Sequence, residues 1–119
     1  MELMIVVLEA AFFFVMGVVA LVAPAFVVGL FGETNIGPDM RNEVRAVYGG
    51  FGVAIAAVLL ASLKVEAIRS GVYLVVATAL FGMACGRIVS FLLEQRLGLF
   101  PAVFLVVELL LGSALLYAT

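Results

Sequence analysis

The chain has 119 residues, of which 67% are apolar or aromatic and 12% are charged, and its formal net charge is −2. A soluble domain carries about 25% charged residues, and disorder requires low hydrophobicity with high charge, so the composition excludes both. There is no histidine and only one cysteine, Cys85, and Lys and Arg total 6 against 8 Asp and Glu; this argues against metal clusters, intrachain disulfides and a basic nucleic-acid surface.

The charges fall in three clusters, Glu33 to Arg45, Lys64 to Arg69 and Arg87 to Arg96, with only Glu2, Glu9 and Glu108 elsewhere. The apolar stretches between them are long enough to cross a hydrocarbon core of ~30 Å, which takes about 20 helical residues. They are continuously apolar, whereas a barrel strand alternates. The expected fold is all-α, an integral membrane four-helix bundle forming a single transmembrane domain over residues 1–119. Its spans lie at about 3–23, 44–63, 71–93 and 99–118.

The first apolar run continues to Phe31, and Pro24 divides it because proline lacks an amide donor. Pro24 to Phe31 therefore reads as a short interfacial helix. A cleaved signal peptide is disfavoured, since Met1-Glu2 carries no positive charge and the apolar run is too long. Gly32 to Asp39 is a polar, turn-forming loop, with Asp39 expected to cap the second helix. The connections Lys64 to Ser70 and Glu94 to Gly98 are short, and Pro101 suits the first turn of the fourth helix. Lys64 and Arg69 on the terminus side balance Arg41 and Arg96 on the other, so positive charge assigns no orientation.

Ionisable residues within spans are costly and are functional candidates by default. Glu108 sits at the centre of the fourth span. Arg87 lies beyond the middle of the third helix by roughly 7 Å at the ~1.5 Å helical rise, within reach of Glu108. Such a pair either fixes helix packing, as buried ion pairs commonly do, or serves a ligand. Arg41, Arg45, Tyr48 and Gly52 are spaced i, i+4, i+7, i+11 and share one helical face. Arg45 and Tyr48 are expected to join Arg87 around a polar or anionic head, while Arg41 snorkels to lipid phosphate. Glu9 lies in the other half of the bilayer from Arg87 and is expected to pair with neither arginine. It marks a first helix shifted toward the interface, or else is protonated.

Small residues recur at Thr78, Gly82, Gly86 and Ser90 along the third helix, and Gly49 and Gly52 flatten the second. Small-xxx-small ridges permit close backbone approach, so the second and third helices are expected to pack on one another. The alternative is that one ridge is a homo-oligomer interface. Cys85, beside Gly86, reads as a packing thiol.

Ala23-Pro24, Phe31-Gly32, Arg45-Ala-Val-Tyr48-Gly49-Gly50, Gly86-Arg87 and Glu108, in that order, resemble a group of small bacterial four-helix membrane proteins known as a domain of unknown function. The group looks distantly DoxX-like. The resemblance covers nearly the whole chain and implies a bundle in the bacterial cytoplasmic (inner) membrane. A DoxX link implies partnership with quinone or thiol oxidoreductases, but the missing histidine and second cysteine leave this chain without the groups for redox work of its own.

The leading expectation is therefore a binding module without cofactor or metal. It would take a lipid, quinone or other amphiphile in a polar pocket between the second, third and fourth helices, lined by Arg45, Tyr48, Arg87 and Glu108. The alternative is a structural or accessory subunit, assembled as a homo-oligomer or within a larger membrane complex through its small-residue faces. An enzyme using Glu108 as acid–base ranks below both, because a lone carboxylate beside an arginine is more often structural.

Overall fold

Prolines and short polar connections set the helix limits. In the computed structural model, which describes residues 1–119, α1 runs over Glu2–Val22. It stops where Pro24 cannot donate to the carbonyl of Ala20. The short α2, Pro24–Gly29, starts on that same proline. Gly32, at φ +87°, turns the chain toward α3, which spans Pro38–Ser62. Gly37 rather than Asp39 occupies the N-cap, and Pro38 is preset for the first helical position. The second span therefore begins well before residue 44.

The fourth helix, α4 (Glu66–Glu94), also starts earlier than expected, with Glu66 in its first turn where a carboxylate favours the helix dipole. The fifth, α5, covers Leu99–Ala118. Four of these helices, all but α2, are long and apolar enough to cross a membrane. The chain is a small integral membrane protein with an all-α bundle fold.

Within α3, residues Arg45–Gly50 form a π-helical turn between two α-helical stretches. Such a turn bonds i to i+5 and takes up one extra residue, which rotates everything beyond it by about 100° relative to a regular helix. The expected face of Arg41, Arg45, Tyr48 and Gly52 is broken by this insertion. Arg45 ends up exposed, Tyr48 half-buried, and Gly52 buried.

The four long helices follow an up-down order around a ring. Contacts concentrate in two pairs, α1 with α3 and α4 with α5, and are sparser between the pairs. Glycine explains the first seam. A methyl group added at Gly17 would stand 2.8 Å from both the carbonyl oxygen of Gly49 and the amide nitrogen of Val53. One added at Gly52 would stand 2.9 Å from the carbonyl oxygen of Phe13. The backbones of α1 and α3 are thus in contact, as small residues on both helices permit.

This corrects the expected packing of the second span on the third. Gly49 and Gly52 face α1, because Gly17 supplies the matching small position there. Thr78, Gly82 and Ser90 on α4 are exposed, and added methyl groups at Gly82 and Gly86 would meet nothing within 4 Å. On the second seam, Gly112 of α5 receives the ring of Phe81.

The two pairs are zipped together at the end bearing the chain termini. There Val6, Ala10 and Phe13 of α1, with Leu59 of α3, pack against Tyr73, Val76 and Leu80 of α4 and Leu115 of α5. At the opposite, loop end a small cluster of Ala20, Val27 and Val44 joins only α1, α2 and α3. Along α4 nothing is buried beyond Ala84, and along α5 nothing is buried before Glu108. The pairs therefore splay apart toward the loops.

Candidate functional site

The splay creates a cavity of about 1260 Å³. It is lined by α1, α2, α3, α4, α5 and the loop that joins α4 to α5. The walls are mostly hydrophobic, with Phe12 and Met16 from α1 facing Leu80 and Met83 from α4. The first helix supplies a large part of this wall, which a pocket between the second, third and fourth spans alone would not include. Polar groups are few: Tyr48, Arg87, Ser90, Arg96 and Glu108.

Arg87 and Glu108 meet as a bidentate pair. Arg87 Nε donates to Glu108 Oε1 at 2.8 Å, and Nη2 donates to Oε2 at 2.9 Å. The Glu108 side chain is 5% exposed and that of Arg87 is 20% exposed. Fork-to-fork geometry of this kind gives the strongest charge-assisted hydrogen bonds. The guanidinium also lies 5.5 Å from the centre of the Phe104 ring, within cation–π range. Phe104 in turn stands 5.8 Å from Phe31, so an aromatic contact bridges the two helix pairs near the loop end.

Glu108 is thus compensated, while Arg87 keeps the remainder of its five N–H donors at the cavity wall. Tyr48 lines the same space. The arrangement offers hydrogen bonds to one polar head, inside walls suited to an apolar body.

Arg45 stands elsewhere. It is exposed, does not line the cavity, and donates from Nε to the carbonyl oxygen of Leu21 at 3.0 Å. That carbonyl is left over where α1 breaks before Pro24, so Arg45 serves as a side-chain cap on the first span. The π-helical turn is the physical reason that it parts from Tyr48. Arg41 is likewise held by backbone, donating to the carbonyl oxygen of Ile36 at 2.7 Å.

The structure also brings together groups that sequence reasoning missed. At the terminus end the Tyr73 hydroxyl donates to Glu2 Oε1 at 3.1 Å, and Arg69 Nε lies 4.0 Å from the same oxygen. Arg69 further donates to the carbonyl oxygens of Ser62 and Leu63 at 2.8 and 2.9 Å, closing the end of α3. A basic residue soon after a helix end was the available signal. Glu9 is 1% exposed, and neither carboxyl oxygen has a partner. It belongs to the buried face of α1 with Val6, Ala10 and Phe13.

Residues 1–119 match the family model described as domain of unknown function (DUF4345). The chain belongs to this family. No curated protein and no solved structure matches it. The family description assigns no activity and no DoxX relationship, so for this DUF4345 member the chemistry of the cavity carries the functional argument.

Proposed function

We propose that the protein is a binding module for an amphiphile, such as a lipid or a quinone, in a bacterial inner membrane. One observation carries this reading: a large, mostly apolar cavity converges on the Arg87–Glu108 pair and Tyr48. A pair needed only to fasten α4 to α5 has no use for a cavity beside it. Close packing is the rule in protein interiors, and a space of about 1260 Å³ is above the usual range of roughly 300–1,000 Å³ for small-molecule pockets. Arg87 lies at membrane depth in this reading and hydrogen-bonds a polar oxygen of the ligand, while Glu108 orients the guanidinium.

Native mass spectrometry of the protein purified in mild detergent tests this. An amphiphile should be retained by the wild type and lost from Gly86→Phe. Gly86 lines the cavity, and the space at its β position is open, so the new ring fills the site without breaking the backbone. Wild-type protein that retains no amphiphile would refute the reading.

A second reading, homo-oligomerisation, has its own support in the exposed small residues Thr78 and Gly82 on α4, which lie outside the cavity lining. Cys85, also exposed and on the same helix, provides the test. Oxidative cross-linking in native membranes should give a Cys85–Cys85 dimer that Gly82→Phe abolishes, and absence of the dimer would count against an α4 interface.

A further inference from the structure

The charges along the cavity are unequally balanced. Its lining holds two arginines and one glutamate, and Arg87 satisfies both oxygens of that glutamate. Arg96 remains without an acidic partner, in the loop between α4 and α5 at the membrane-surface end. Ser90, one turn beyond Arg87, lines the wall on the same side. Every polar lining group therefore lies between the middle of the bundle and the loop end, and the rest of the trough is apolar.

The length of that trough is informative. On α4 it extends from Ser90 to Ala79, and on α1 from Val19 to Leu8. At ~1.5 Å per residue each is about 16 Å, close to half of the ~30 Å hydrocarbon core. Arg96 extends the polar end beyond the last turn of α4, so the trough reaches from the loop-side surface to about the middle of α4 and somewhat past the middle of α1. Its flank is open as well, because Leu8, Val15, Val47 and Met83 line it and are 61%, 59%, 50% and 39% exposed. In a bilayer that flank faces acyl chains.

We propose that the cavity takes an anionic acyl-chain lipid from the loop-side leaflet, entering sideways. The head lies at Arg96 and Ser90, the carbonyl region at Arg87 and Tyr48, and the chain along Met83, Met16 and Phe12. This rests on the amphiphile-binding reading above and adds the charge of the head, its direction and its leaflet. Phosphate diester and free carboxylate heads share the required chemistry.

The test is equilibration of the purified protein with phosphatidylglycerol, phosphatidylcholine or palmitate, followed by native mass spectrometry. A surface arginine contributes on the order of fivefold in attraction to an anionic lipid. Wild-type protein should therefore retain phosphatidylglycerol or palmitate about fivefold better than phosphatidylcholine, and Arg96→Gln should erase that preference without changing phosphatidylcholine retention. The stronger of the two anionic ligands identifies the source as phospholipid or free fatty acid. Equal retention of phosphatidylglycerol and phosphatidylcholine, with both displaced in Gly86→Phe, would overturn the anionic-lipid assignment and leave amphiphile binding standing. Failure of Gly86→Phe to displace any of the three would overturn both. Matching circular dichroism spectra of the variants establish that the fold is kept.

Discussion

Replacing Arg87 by Met separates the energetics of the buried pair from its use. In the wild type, both Glu108 oxygens are bonded to the guanidinium and the side chain is 5% exposed. Arg87→Met leaves that carboxylate buried and without its partner, a change that costs about 3–5 kcal/mol. At several degrees per kcal/mol for a domain of this size, the melting temperature should fall by roughly 10 °C or more. The double variant Arg87→Met with Glu108→Leu removes the orphaned charge along with its partner. Exchanging a whole buried pair for hydrophobic side chains is often neutral or stabilising by about 1–4 kcal/mol, so the double variant should melt at or above the wild type. Thermal loss of helical circular dichroism in detergent micelles measures both. Amphiphile retention should nevertheless be impaired in the stable double variant, because Arg87 no longer offers donors to the cavity. If Arg87→Met alone melted like the wild type, Glu108 would not depend on Arg87 and the reasoning would fail.

Other outcomes follow from the packing. Gly17→Ala and Gly52→Ala each press a methyl group onto backbone atoms less than 3 Å away, and each should cost about 1–3 kcal/mol. Gly82→Ala, facing open space, should be neutral or stabilising by up to about 1 kcal/mol through helix propensity; a loss there would point to a partner surface. Glu9→Leu removes an unpartnered carboxyl from the core and should stabilise by about 1–3 kcal/mol, whereas a marked loss of stability would mean that Glu9 has a partner in the membrane. Arg45→Ala, which frees the Leu21 carbonyl, should cost about 1 kcal/mol and leave amphiphile retention unchanged, contrary to a role in the site.

The four spans were legible because continuous apolar runs and charge clusters record the membrane thickness directly. Glu108 and Arg87 were legible for a related reason: an ionisable side chain within an apolar run needs a partner, and helical rise limits where the partner can stand. The partners of Arg45 were not. Helical spacing assumes a constant 3.6 residues per turn, and nothing in Arg45-Ala-Val-Tyr48-Gly-Gly signals a π-helical turn unambiguously. The seam between α1 and α3 escaped for another reason. A ridge of small residues shows that a close approach is feasible but does not say which helix approaches. One lone glycine, Gly17, determined the answer against the longer ridge on α4. The cavity itself arises from splayed helix pairs, a property of packing between segments distant in sequence.

Occupation of the cavity by an amphiphile is tested most directly by photolabelling in native membranes. A long-chain fatty acid bearing a diazirine near the middle of its chain, activated in membranes that contain the protein, should label the cavity wall around Met16, Leu80 and Met83 in preference to the outward faces of the helices. That labelling should disappear in Gly86→Phe and persist in Gly82→Phe. Uniform labelling of all apolar helix faces, unchanged by Gly86→Phe, would contradict the account.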